Sequence, residues 1–167
     1  YFLPGSYYWY LEVTSLVSHN TNETKEISYG LGYGTYFNVN IINCEVSFNQ
    51  RGGISNLPSG SVVQNCNIHH NGCAYENMPE FYDSTRFGID IEDWYIHNIK
   101  IKDCIISENS CAVLYRCNSI EILNCELFGY VGSLNYQVDF YAENTNFYGA
   151  FEMITPADFG NKFALNC

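Results

Sequence analysis

The sequence predicts an all-β fold, a parallel β-helix solenoid of about six rungs, and two observations predict it. The first is a twelve-residue pattern that recurs as NVNIINCEVSFN at 38–49, GSVVQNCNIHHN at 60–71, NIKIKDCIISEN at 98–109 and SIEILNCELFGY at 119–130. A looser copy, DFYAENTNFYGA, follows at 139–150, and NKFALNC at 161–167 begins another. Superposed, the copies place Cys44, Cys66, Cys104, Cys125, Thr145 and Cys167 in one column. The column before it holds Asn43, Asn65, Asp103, Asn124, Asn144 and Asn166. Successive anchors lie 22, 38, 21, 20 and 22 residues apart, a spacing that belongs to solenoids and arrays. The second observation is alternation inside each copy: Ile41, Val63, Ile101 and Ile122 stand two residues after Val39, Ser61, Ile99 and Ile120.

Each element follows from the chemistry of its residues. Period-two alternation of Ile and Val marks a strand with one buried face, whereas a helix would space its apolar residues by three and four. Asn and Gly between the runs accept the left-handed backbone of tight corners. Three short strands fill a turn of 20–22 residues, and stacked turns about 4.8 Å apart place like residues in ladders. One ladder is thiol and faces inward, and one is Asn and sits at a corner. Stacked thiols are near enough for disulfides, but parallel side chains point past each other, so buried free thiols are expected. Cys73, Cys111 and Cys117 fall outside the column, and no ligand spacing suggests zinc.

The domain reading is residues 1–37 as an irregular lead-in or first rung, with Tyr10–Asn20 in ambiguous register, and residues 38–167 as the repeats. The first residue is not Met and Cys167 falls on the anchor of a new copy, so a segment of a longer helix is expected. With 167 residues there is room for one long, narrow core. Eighteen acidic against seven basic residues give a formal charge of -11, which argues against nucleic acid, whose binding needs basic patches. No apolar run reaches transmembrane length.

The repeat breaks once, where GCAYENMPEFYDSTRF (72–87) is inserted ahead of the strand GIDIED (88–93). Solenoid insertions emerge on the surface and wall off binding faces. This one carries Tyr75, Glu76, Phe81, Tyr82 and Arg86, rings beside hydrogen-bonding groups that suit the apolar faces and polar rim of a sugar; packing of those rings on the helix is the plain alternative. In GIDIED, inward Ile89 and Ile91 send Asp90 and Glu92 outward together, about 7 Å apart at Cα, with Asp93 at the strand's end. Two close carboxylates can divide acid and base roles. Register puts Ser55 and Leu114 beside Asp90, Asn135 and Glu152 further along the same face, and Arg116 beside Glu92. His69 is expected toward solvent and His70 inward or at a corner. Outward acids are also what an ordinary soluble face displays.

The rungs, with their "NC-x-I-x-x-N" segments followed by a "G-I" strand, resemble the right-handed parallel β-helix of the pectate-lyase-like superfamily over about residues 38–167. The resemblance implies a carbohydrate-active protein that cleaves or remodels a polysaccharide or teichoic-acid-like polymer, among relatives that include lyases, glycoside hydrolases and phage tailspikes. On that reading Asp90, Glu92, Asp93 and Arg116 are the catalytic candidates, and Tyr75, Glu76, Phe81, Tyr82, Arg86, Asn135 and Glu152 bind the polymer. A lyase would instead use the acids to hold a divalent cation such as Ca²⁺ against a uronate. The competing expectation is a non-catalytic, glycan-binding or structural shaft of a virion appendage or adhesin. An extracellular or virion-associated location and a homotrimer accompany either reading.

Overall fold

The computed structural model describes residues 11–14, 17–19, 29–32, 38–49, 52–55, 57–71, 87–91, 95–109, 111–133, 139–152 and 162–167. Every strand pairing among them is parallel, and three sheets wrap one core. The first sheet stacks β1 (Leu11–Thr14), β4 (Val39–Ile42), β7 (Val62–Gln64), β10 (Ile99–Lys102), β13 (Ser119–Leu123), β16 (Asp139–Glu143) and β19 (Lys162–Leu165). The second stacks β2 (Val17–His19), β5 (Glu45–Ser47), β8 (Asn67–His69), β11 (Ile105–Ser107), β14 (Glu126–Leu127) and β17 (Asn146–Phe147). The third stacks β3 (Tyr29–Gly32), β6 (Gly52–Ser55), β9 (Phe87–Ile91), β12 (Cys111–Tyr115), β15 (Tyr130–Ser133) and β18 (Phe151–Glu152). The chain therefore visits the sheets in turn, one strand each, as the repeat requires. β1 pairs Leu11 with Val39 and Val13 with Ile41, which gives the ambiguous Tyr10–Asn20 stretch its register.

Ladders hold the corners. Asn43, Asn65, Asp103, Asn124, Asn144 and Asn166 all have φ between 50° and 56°, a left-handed backbone that short polar side chains adopt at low cost. Their side chains stack outside the core: Asn65 Nδ2 donates to Asn43 Oδ1 at 2.6 Å, Asn124 to Asp103 at 3.1 Å, Asn144 to Asn124 at 3.3 Å and Asn166 to Asn144 at 3.1 Å. Each rung donates to the one before it. Asp103 has no amide to donate to Asn65, so the ladder is interrupted there.

The next residue turns inward. Cys44, Cys66, Cys104 and Cys125 are buried and form no disulfide. The Cys66 thiol donates to the Gln64 carbonyl at 3.2 Å and reaches the Ile41 carbonyl of the preceding rung at 3.5 Å, and Cys104 and Cys125 repeat both contacts. Each accepts as well: the Cys44 N–H donates to Cys66 Sγ at 3.4 Å. Thr145 does the same with oxygen. Its hydroxyl donates to the carbonyls of Glu143 and Ile122, and it accepts from the Cys125 N–H at 3.3 Å. The column needs a small group that both donates and accepts, which explains why Thr replaces Cys without disturbing the turn.

A second, inward ladder lies between the second and third sheets. Asn49, Asn71 and Asn109 are buried, and Asn71 Oδ1 accepts from both the N–H and the Nδ2 of Asn49 at 3.2 and 2.9 Å. Asn109 Oδ1 serves Asn71 in the same way at 2.9 and 3.1 Å. Glycine follows for a steric reason: a Cβ on Gly88 would lie 2.5 Å from Ile106 Cγ2 and 2.7 Å from the Ala112 carbonyl oxygen.

The interior is filled by Ile41, Val63, Ile101, Ile122 and Ala142 of the first sheet, Val46, Ile68, Ile106 and Leu127 of the second, and Ile54, Ile89, Val113 and Val131 of the third. Tyr115 stacks on Phe140 at 5.7 Å, and burial pushes its phenol up from the usual range. One register expectation is corrected. Val113 pairs with Val131 and Leu114 with Gly132, so Gly132 and not Asn135 follows Leu114 on the face of Asp90. The cause is local: the copy at 119–130 ends in Tyr130 instead of Asn, the third strand begins at once, and a bulge between Cys111 and Val113 takes up a residue.

Candidate functional site

The three outer faces differ. Along β10 and β13 of the first sheet, side chains alternate buried and half-buried. Every residue of β6, β9 and β12 in the third sheet is buried. Asp90 belongs to that third face. Ile89 and Ile91 enter the core on either side of it, so Asp90 does project outward, in register with Ser55 and Leu114. It is nonetheless only 1% exposed, which corrects the expectation of an open acidic strand. Phe87, Cys111 and Leu114 form a separate apolar cluster on the same face, with Tyr130 packed against it. Burial, and secondarily the charge of Asp90, push the Cys111 thiol up to about 12. Ser55 Oγ is buried with no hydrogen-bond partner among the described residues.

Of the other candidates, Arg116 is exposed and its N–H donates to the Ile91 carbonyl at 2.8 Å. Glu152 pairs with Gly132 and so stands in the backbone column of Asp90. Gly132 occupies the place expected for Asn135. Glu92, Asp93, Asn135 and the insertion residues Tyr75, Glu76, Phe81, Tyr82 and Arg86 lie outside the described residues. Among the described residues no three His, Cys, Asp or Glu side chains are grouped to hold a metal ion.

Among the described residues, two open depressions lie on the first sheet. One, of about 240 Å³, is lined by Asn98, Ser119, Glu121, Asp139, Tyr141 and Phe163 together with the strand residues Ile99, Ile120 and Phe140. A second, of about 260 Å³, shares Asn98, Ile99 and Glu121 with it and extends over Lys100, Val62 and Gly60. Together they form a trough that crosses strands β7 to β19. Tyr141 and Phe163 are direct neighbours in register, so their rings project from adjacent rungs of one face. Phe163 is 57% exposed.

Polar groups frame these rings. Lys100 and Glu121 pair at 2.8 Å, the Ser119 hydroxyl accepts from the Asn98 N–H at 2.7 Å, and Ser119 pairs with Asp139 in register. The Tyr141 hydroxyl donates to Glu143 at 2.7 Å, and that hydrogen bond holds its proton above the usual phenol range.

No protein-family model, curated protein or solved structure matches the chain. The architecture is that of a β-solenoid. The trough has no sequence motif. Its central column reads Asn40, Val62, Lys100, Glu121, Tyr141 and Phe163, and the signal available was the outward third position of each repeat, which shares no residue type between copies.

Proposed function

We propose that this β-solenoid is a carbohydrate-active protein that holds a polysaccharide across the outer face of its first sheet. The observation that carries the reading is the trough, where two ring faces from successive rungs stand beside hydroxyl, amide and carboxylate groups. A pyranose offers an apolar face to such rings and hydroxyls to such a rim, and pockets of this mixed kind bind and orient small polar ligands. The charge narrows the ligand. Among the described residues the one cation lining the trough, Lys100, is already paired with Glu121, and the chain carries -11 overall, so a neutral glycan is favoured over a uronate or phosphate polymer.

A catalytic reading is favoured by one further feature. Glu121 and Asp139 line the same depression, and strand geometry puts their Cα atoms about 8 Å apart on one face, within reach of an acid and base pair acting on a glycosidic bond. The original candidates Asp90, Glu92, Asp93 and Arg116 form the rival acid site, on the third sheet.

Affinity electrophoresis of the chain through neutral, uronate and teichoic-type polymers, with product analysis, tests both readings. Retardation by a neutral polymer, reduced at least tenfold in Tyr141→Ala and unchanged in Asp90→Asn, is the expected result. Product formation lost in Glu121→Gln or Asp139→Asn identifies catalysis in the trough. Product formation lost only in Asp90→Asn moves the site to the third sheet. Binding that ignores Tyr141 contradicts the proposal.

A further inference from the structure

Outside the trough, exposed apolar side chains gather on the outer face of the second sheet. There Ile106, Leu127 and Phe147 turn toward the core, so the residues on either side of them point out. Ile105, Phe128 and Tyr148 are 48%, 37% and 55% exposed. The Phe128 N–H donates to the Ile106 carbonyl and the Tyr148 N–H to the Leu127 carbonyl, both at 2.8 Å, which carries the stacking of turns past the strand ends. The Phe128 and Tyr148 rings stack at 4.4 Å with 12° between their planes. Tyr148 thus covers one face of the Phe128 ring, and the opposite face turns toward the rung of Ser107, which offers a small hydroxyl and no ring. The formal charges within this patch are acidic. Asp103 and Glu108 stand at the two left-handed corners of the rung of Ile105, and Glu126 pairs with Ile105 in register; all three are exposed. None of the sheet's six strands contains Lys or Arg. Among the described residues none of the three acids has an ion pair.

We propose that the outer face of the second sheet docks an arginine-bearing segment of a partner protein, with one guanidinium stacked on the Phe128 ring over Ser107, between Glu126 and Glu108. Exposed apolar patches rimmed by polar residues mark interaction surfaces, and charge decides the occupant here. A second copy of the chain brings -11 and the same acids, so like charges oppose it, whereas a cationic segment is drawn in. Arginine fits the patch on three counts. Its planar guanidinium stacks on an aromatic face, its N–H fork pairs with carboxylates, and its methylene stem lies along apolar surface such as Ile105. Lysine, a compact charge, matches the acids and not the ring. Stacked aromatic and Arg side chains are also the residues that most often anchor protein interfaces. The inference does not depend on the glycan reading, which uses a different sheet.

Fluorescence anisotropy of labelled hexa-arginine and hexa-lysine peptides with the chain, at about 0.15 M salt, tests it. Saturable binding of hexa-arginine below about 1 mM is expected, about threefold or more tighter than hexa-lysine. Phe128→Ala changes no charge, and should weaken hexa-arginine binding about fivefold and erase its advantage over hexa-lysine. Glu126→Gln should weaken both peptides by about twofold or more. Tyr95→Ala removes a more exposed ring outside this sheet and should leave binding unchanged. Phe128 and Glu126 lie outside the core, and circular dichroism of each variant confirms that the solenoid persists. Absence of saturable binding, equal affinity for the two peptides, or indifference to Phe128→Ala would reduce the attraction to net charge and overturn the proposal. A dimer in sedimentation that Phe128→Ala dissolves would give this face to a second copy, and would overturn it as well.

Discussion

The first and third sheets come from the same turns of the same chain, yet their outer faces have opposite fates. On β10 the outward Lys100 and Lys102 remain half-buried and Lys100 lines the trough, while on β9 the outward Asp90 is as buried as the Ile residues beside it. The difference teaches that period-two alternation fixes which way a side chain points and leaves open what it points into. On the first sheet it points into water and a groove. On the third it points into a second apolar layer built around Phe87, Cys111 and Leu114.

The comparison can be broken most forcefully inside one strand. Ile101→Ala, in the core, should cost about 2–5 kcal/mol, as large-to-small core substitutions do. Lys100→Ala, its outward neighbour, should cost about 0–1 kcal/mol, the range of an exposed ion pair. Urea unfolding of the two variants measures both. Similar losses would mean that the first sheet is covered on both sides like the third.

The two Asn ladders give the next contrast. Asn71→Ala strips the Asn49 N–H and the Val46 carbonyl of buried partners and should cost about 2–3 kcal/mol. Asn65→Gly keeps the left-handed corner and removes only an exposed hydrogen bond, with an expected cost under about 1 kcal/mol. Equal melting-temperature shifts would remove the distinction between inner and outer corners.

Alkaline titration separates buried from open groups by pH. Burial pushes the Cys111 and Cys117 thiols up to about 12 from 9.0. A raised acid keeps its proton in the folded state after the unfolded chain has lost it, so its contribution is complete below about 9 and is lost as pH rises toward about 12. Stability should fall across that window, and Cys117→Ala should flatten the fall in chemical denaturation at successive pH values. The smallest expected effect is a gain. Asp103→Asn supplies the missing donor to Asn65 and should raise stability by about 0.5–1 kcal/mol; a loss would show that Gln64 Nε2, 3.5 Å from Asp103, matters more than the continuity of the ladder.

The legible parts of this molecule are those where every turn imposes the same constraint. The Cys column, the left-handed Asn corner and the inward Ile and Val recur because each rung closes on the same backbone geometry, and even Thr145 keeps the donor and acceptor that the thiol provides. The inner Asn ladder was present in the same alignment, in its twelfth column, but a corner residue with φ below zero does not announce that it points inward. The placing of Asn135 beside Leu114 failed because Tyr130 replaced Asn and the strand started early. The burial of Asp90 was illegible because it depends on what lies over the outer face of the sheet. The trough was illegible for the opposite reason: surface function varies from rung to rung, so its residues share a position and not a type.

Chemical-shift mapping of the chain with a retained neutral polysaccharide tests the central claim most directly, because it reports where the polymer lies without relying on substitutions. Perturbations concentrated at Asn98, Ser119, Tyr141 and Phe163, with β9 and β12 unmoved, are the predicted result. Perturbations centred on Asp90, Leu114 and Arg116, with the first sheet silent, would contradict it.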